Sequence, residues 1–264
     1  MATNRILRPI AGGSALAVLL QSMLFMAADT QIAIQPLGLI ELMPAASAQQ
    51  NRGITYRPPN RLTRATRTAG TGVRGLCHQL SRIEVTPLVP NNHIGQTLSK
   101  RPTFLAYVAG AKSAEFTLVE PNVEKPLLVK TVTPDAQGIV RVELPESLPD
   151  LAIGKNYRWS VAVVCNPNRR SGDVFAQSWI QRVEPSAALT QKLSTTNSKL
   201  EQARVYAEAG VWYDAIATLT QANQADPNNS IIRSDLSALL SQVQIRNIVV
   251  AAPIDRTVTS NPTR

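Results

Sequence analysis

The sequence predicts an antiparallel β-sandwich followed by a small helical hairpin and a capping helix. Two observations carry that reading. Short apolar runs recur at 80–89, 103–108, 115–119, 127–132, 139–144, 157–165 and 175–183, broken by Pro, Gly, Asn and Asp. Seven such runs at this spacing are the signature of a sandwich. Several alternate as half-buried strands do: Val140, Val142 and Leu144 share one face, with Arg141 and Glu143 on the other. Trp159, Val161 and Val163 likewise share a face. From about 187 the apolar spacing changes to the helical period. Leu193, Leu200, Ala203 and Tyr206 form a first set, and Trp212, Ala215, Ile216 and Leu219 a second. Ile232, Leu236, Leu239, Leu240 and Val243 form a third. The sandwich is expected over 76–186, three helices over 187–246, and a polar tail over 247–264.

The N-terminal part reads differently. Arg5 and Arg8 precede an apolar run at 15–28, and Ala46-Ser47-Ala48 has the small-x-small form of a signal-peptidase site. Residues 1–48 are therefore expected to be an export signal. The stretch from 29 to 42 is long for the region between such a core and its cleavage site, and an uncleaved anchor is the alternative. The absence of cysteine in this part excludes a lipid-modified cysteine anchor. Residues 49–75 have no hydrophobic period and are expected to be a flexible arm. The arm concentrates charge. The 264-residue chain has a formal net charge of +9, and Arg52, Arg57, Arg61, Arg64, Arg67 and Arg74 fall at 51–74 with no acid among them. Such a segment attracts anionic polymers, and an acidic glycan or an anionic lipid surface is the expected ligand class if it binds. Only Tyr56 could stack on a base, so nucleic acid is disfavoured. The plain alternative is a solvated tether.

The entry to the sixth strand narrows the sandwich type. Leu151, Gly154 and Tyr157 follow the order L-x-x-G-x-x-Y. This resembles the tyrosine corner of immunoglobulin-like and fibronectin type III sandwiches, whose hydroxyl bonds back to upstream backbone. The plain alternative is a glycine turn before an aromatic strand. In the helical part, Ala203, Tyr206, Gly210, Ala215, Leu219, Ala222 and Pro227 fall at the offsets of a tetratricopeptide repeat. Small alanines allow close helix approach, Gly210 ends the first helix and Pro227 stops the second. Lys199 replaces the usual large aromatic at the front. A single repeat cannot bury a core alone. It is expected to lean on its own sandwich, on another copy, or on a partner.

The candidates for chemistry are few. Cys77 and Cys165 are the only cysteines, and in an exported chain the expectation is a disulfide. If successive strands run antiparallel, the start of the first strand and the end of the sixth reach the same end of the sandwich. The bridge would stabilise by about 4–5 kcal/mol in the chain-entropy model. The alternative, a Cys77 nucleophile activated by His78, is weak because neighbours on an extended chain point to opposite faces. His78 and His93 are the only histidines. Neither has a metal-ligand spacing, and both are expected in surface loops. The Arg169–Asp173 stretch reads as a hairpin turn. Glu143 and Glu146 lie near a turn without an inferable partner, and the Gly70–Gly75 glycines lack a Lys-Ser ending. No catalytic, cofactor or metal site is expected. A hydrolase with an unrecognised site is the remaining enzymatic alternative.

Several stretches occur in an order that resembles a known family. These are Gly75-Leu76-Cys77, Leu88-Val89-Pro90, Pro102-Thr103-Phe104, Glu115-Phe116-Thr117-Leu118, Gly138-Ile139-Val140, the 157–165 strand, and Tyr206 through Ala215. Together they resemble the cyanobacterial exported family called domain of unknown function 928, over about 73–245. The resemblance implies a secreted or periplasmic protein and no assigned activity or catalytic residue. The expectation is an exported, non-enzymatic protein of the periplasm or cell surface. Its expected role is to bind or scaffold a protein partner in the cell envelope.

Overall fold

A computed structural model describes residues 53–59, 68–70, 83–245 and 248. They belong to the compact unit that spans 49–264. The expected export signal lies outside the described residues, as do Arg52, Arg61, Arg64, Arg67, Arg74, Cys77, His78 and most of the polar tail.

The fold is mixed, with two sheets and four α-helices among the described residues. The strands are β1 (Thr68–Gly70), β2 (Glu84–Pro87), β3 (Gly95–Thr97), β4 (Thr103–Ala109), β5 (Ala114–Val119), β6 (Leu128–Val132), β7 (Ile139–Glu143), β8 (Asn156–Val163) and β9 (Val174–Arg182). The larger sheet has the order β1-β9-β8-β5-β6, with β3 also on β9; the smaller is β2-β4-β7. Each of the seven expected runs contains a strand. Alternation explains why: Ala114, Phe116 and Leu118 of β5 are buried while their neighbours are only half-buried. Tyr157, Trp159, Val161 and Val163 of β8 repeat the pattern. The sheets meet through aromatics. The Phe104 ring of β4 lies 5.1 Å from Phe116 and 5.4 Å from Trp159.

Two strands were not legible as apolar runs, and one changes the topology. β9 is nine residues long, and its outer edge is shared. Its first part pairs antiparallel with β1, from Thr68↔Gln177 to Gly70↔Phe175. Its last part pairs parallel with β3, from Gly95↔Ile180 to Thr97↔Arg182. The larger sheet is therefore not purely antiparallel. Gly95 is required there by close approach: a Cβ would stand 2.6 Å from the Tyr213 ring. The β8–β9 connection is a hairpin, as expected from Arg169–Asp173, with a 3-10 turn at Arg170–Gly172.

The helices are α1 (Ala187–Ser194), α2 (Lys199–Glu208), α3 (Trp212–Ala225) and α4 (Ser230–Gln242). Four helices stand where three were expected, because the first set is split. The Thr196 hydroxyl bonds back to the Lys192 carbonyl at 2.6 Å, and Thr195 to the same carbonyl at 3.0 Å. Hydroxyls that compete for backbone in this way favour helix ends. Asn229 caps α4 by accepting from Ile231 and Ile232 N–H. Gly210, at φ +78°, closes α2. Val211 N–H reaches the Tyr206 carbonyl at 3.0 Å and Gly210 N–H that of Ala207 at 3.1 Å, a Schellman closure.

The arm expectation needs correction at two places. Residues 68–70 form β1. Residues 53–59 are seated on the helices, with Ile54 and Tyr56 buried in the main core. The physical reason is a short alternation, Ile54-Thr55-Tyr56, that places two large side chains on one face. The surrounding Arg and Pro conceal it in composition. His93 is likewise corrected. It is 2% exposed, not a surface residue, because Tyr56 covers it.

Candidate functional site

Where the helices meet the sheets, several buried polar side chains join the two. Trp212 and Tyr213 open α3 and are both fully buried. Trp212 Nε1–H donates to the Leu88 carbonyl at 2.8 Å. The Tyr213 hydroxyl accepts from Trp159 Nε1–H at 2.7 Å and donates to the Trp179 carbonyl at 2.9 Å. One phenol thus ties α3 to both β8 and β9. Burial pushes its pKa far above the ordinary phenol value, so it stays a neutral donor. Asp214, next in the chain, accepts from Leu98 N–H at 3.0 Å. Burial raises its pKa above the ordinary carboxylate value, against hydrogen bonds from Thr97 and backbone N–H groups. Three consecutive residues of one helix therefore anchor it to β8 and β9 and to the residues that follow β2 and β3. Arg141 of β7 adds a bond to Thr220 at 3.0 Å. Of the three supports expected for the helical unit, its own sheets are the one observed.

A second polar group surrounds the 53–59 segment. Ile54 N–H donates to Asp235 Oδ1 at 3.2 Å. Gln242 reads both sides of Thr55: its Oε1 accepts from Tyr56 N–H at 2.8 Å, and its Nε2 donates to the Ile54 carbonyl at 3.1 Å. Arg57 N–H donates to the Ala207 carbonyl at 3.1 Å. The carboxamide of Gln242 thus replaces one peptide group of a neighbouring strand. Asp235 is held by Arg204, whose Nε reaches its other oxygen at 2.7 Å. Gly210 has a second role here, since a Cβ would come within 2.8 Å of the Arg57 carbonyl oxygen. The Tyr56 ring stands edge-on to Trp212 at 4.9 Å between centroids. Its hydroxyl is 2.7 Å from His93 Nε2, and His93 Nδ1 is 2.7 Å from Asn92 Oδ1. With Asn92 Oδ1 accepting, Nδ1 carries the proton and Nε2 accepts from the phenol. Burial lowers the His93 pKa and raises that of Tyr56. Both favour the neutral pair, in which the phenol–imidazole bond holds the segment.

The remaining expected positions are placed as follows. Tyr157 is 3% exposed, and its hydroxyl accepts from Ala152 N–H at 3.0 Å. Leu151 is 1% exposed, and Gly154 sits at φ +75° between them. Ala215 is buried between helices, and Pro227 is half-buried in the turn before α4. Lys199 is exposed at the start of α2. Cys165 follows β8, and its N–H donates to Asp173 Oδ1 at 3.2 Å. Asp173 also receives Arg170, which bridges to Glu115 on β5 at 2.8 Å. Arg57 keeps an exposed side chain 3.6 Å from Glu208. Sequence reasoning missed Ile54, Asp235 and Gln242, and it placed His93 at the surface. Only the Ile54-Thr55-Tyr56 alternation could have signalled any of them.

A surface hollow of about 540 Å³ lies along Tyr107, Lys112, Asp135 and Gly138. The Asp135 carboxylate there already accepts from Gln137 and Ile139 N–H, so it closes its own turn. No group of three or more His, Cys, Asp or Glu with metal-binding geometry occurs among the described residues. None of the described helices is long and apolar enough to cross a membrane. No curated protein matches the chain. The family model described as Domain of Unknown Function (DUF928) matches residues 69–253, which include every described strand but the first residue of β1 and all four helices. The chain belongs to the DUF928 family.

Proposed function

We propose that this protein is an exported, non-enzymatic interaction or scaffolding module of the cell envelope. In this reading an immunoglobulin-like sandwich carries a tetratricopeptide-type helical pair, and Cys77 bridges to Cys165. Export rests on the basic, apolar and small-x-small sequence of 1–48. The sandwich type is supported by the strand orders β2-β4-β7 and β9-β8-β5-β6 and by the Tyr157 bond. The helical type is supported by fully buried Ala203, Ala207 and Ala215 and by the Gly210 closure.

One observation carries the interaction role. Strand β6 ends the larger sheet, and among the described residues a strand covers only its β5 side. Val129, Lys130 and Thr131 of β6 are exposed, with Val129 at 54% and the nearby Val123 at 46%. An open edge with exposed β-branched residues accepts a strand from a partner. The buried polar side chains, by contrast, hold the molecule together.

The test is affinity capture from envelope extract after crosslinking, with the full chain as bait. The comparison bait carries Val129→Lys and Thr131→Pro, which leave the core untouched. A partner recovered with the first bait and lost with the second supports the reading. The same proteins recovered with both, or none with either, contradicts it. Deleting 187–246 would not serve, because it removes Trp212 and Tyr213 from the shared core.

A further inference from the structure

The groove that seats 53–59 is filled by the chain itself, whereas one face of the larger sheet is left uncovered by the described residues. Alternation in β8 and β9 decides which side chains that face carries. Tyr157, Trp159 and Val161 are buried on the core side with Ala176, Ser178 and Ile180, so Arg158, Ser160, Phe175, Gln177 and Trp179 point the other way. Among the described residues, the elements that pack widely on β8 and β9 are their neighbours in the sheet and β2, whose Val85 belongs to the core. Arg158 is exposed, Phe175 is 38% exposed and Trp179 is half-buried.

The strand register sets these groups side by side. Arg158 stands opposite Trp179, and Ser160 opposite Gln177. The two rings are four residues apart on one strand, about 13 Å, with Gln177 between them. Each ring offers an apolar face, and the Gln177 carboxamide both donates and accepts. The side chains of Arg158, Ser160, Gln177 and Trp179 bond to no described residue. Glu115 is the one acid in β5, β8 and β9, and Arg170 holds it at 2.8 Å. The Arg158 charge is therefore left without an acid among the described residues.

These properties select the occupant. A second sheet packed here would bury Arg158, Ser160 and Gln177, which is costly without matching partners. A strand from a partner adds to a sheet edge, not to a face. A polysaccharide meets each group: its hydroxyls bond to amide, hydroxyl and guanidinium, its C–H faces lie on the rings, and a carboxylate pairs with Arg158. The separation of the two rings asks for a chain of sugars, since a single sugar covers one ring. We propose that this face binds an acidic polysaccharide laid along β9, with Trp179 and Phe175 as platforms and Arg158 pairing with a uronate carboxylate. The inference goes beyond the protein partner proposed at β6 and uses other strands.

Alginate, a polymer of uronic acids, is the probe, and dextran is the neutral comparison. Surface plasmon resonance measures binding of the full chain to each. Phe175→Ala with Trp179→Ala changes no charge and replaces no core residue, and circular dichroism checks that it is folded. This variant is expected to bind alginate about tenfold more weakly than wild type, and Arg158→Gln likewise. Attraction of a basic chain to any polyanion would leave the ring variant at wild-type affinity, and that result overturns the proposal. Dextran bound as tightly as alginate overturns it too. A second measurement uses the unaltered chain. Trp159 and Trp212 are fully buried, so acrylamide quenching of tryptophan fluorescence reports mainly on Trp179. Saturating alginate is expected to protect it, and equal quenching with and without alginate overturns the proposal. None of these variants alters β6, so the capture experiment is unaffected and the two readings fail separately.

Discussion

Two regions join the helices to the rest of the molecule, and they do so by different means. The start of α3 uses side chains of one rigid helix: Trp212, Tyr213 and Asp214 project into the sheets and bond to Leu88, to Trp159 and Trp179, and to Leu98. The 53–59 segment uses its own backbone, read by Asp235, Gln242 and Ala207, with only two side chains buried. The first contact is between preformed elements within one core. The second orders a chain that has no secondary structure of its own, so part of its gain is offset by lost conformational freedom. The α3 contact should therefore fail only with global unfolding, and the segment should open on its own.

The largest expected effect comes from the α3 side. Trp212→Ala removes a fully buried indole and leaves the Leu88 carbonyl without its donor. Truncations of this kind cost about 3–5 kcal/mol, so a single cooperative denaturation curve should shift strongly to lower denaturant. Two separate transitions, one for sheets and one for helices, would break the shared-core account. Tyr213→Phe is subtler. It strands Trp159 Nε1–H and the Trp179 carbonyl in the interior, which costs about 1–3 kcal/mol. Stability equal to wild type would show that this phenol does not tie α3 to β8 and β9.

Tyr56→Ala should behave differently. Stability measured globally falls by a smaller amount, and hydrogen exchange rises first in residues 53–59 while α3 keeps its protection. Equal loss of protection in both regions would erase the distinction between them. The smallest effect is on pH. Burial lowers the His93 pKa, whereas an unfolded histidine takes its proton near pH 6.5. The unfolded state then binds more protons, so stability is full above about pH 6.5 and declines as pH falls through it. Asp214 runs the opposite way, since its raised pKa favours the folded state as pH falls toward the ordinary carboxylate range. Comparing wild type with His93→Gln isolates the imidazole. The wild type should lose the more stability between about pH 6.5 and 5, and equal loss would contradict the buried, neutral His93.

The parts of the fold that were legible share a physical cause. Val140, Val142, Trp159, Val161 and Val163 alternate because each strand has one buried face, and periodicity reports that directly. Gly210 and Pro227 mark helix ends through local backbone constraints that any context retains. β1 and β3 were not legible because Thr-Ala-Gly and Gly-Gln-Thr have no apolar period; β9 makes them strands by offering an edge. The split between α1 and α2 depends on two threonine hydroxyls that periodicity ignores. The groove was the least legible part. Asp235 and Gln242 look like ordinary helix-surface residues until a segment more than 180 positions away is laid across them. His93 looked exposed for the same reason, since its cover comes from Tyr56.

The seating of 53–59 is the claim on which the groove stands. Hydrogen exchange of the backbone amides of Ile54, Tyr56 and Arg57, followed by NMR in the full chain, tests it most directly. Each of these amides donates to Asp235, Gln242 or Ala207, so the account predicts exchange clearly slower than for an unstructured peptide of the same sequence. Exchange of all three at the free-peptide rate would contradict it and return this stretch to a flexible arm.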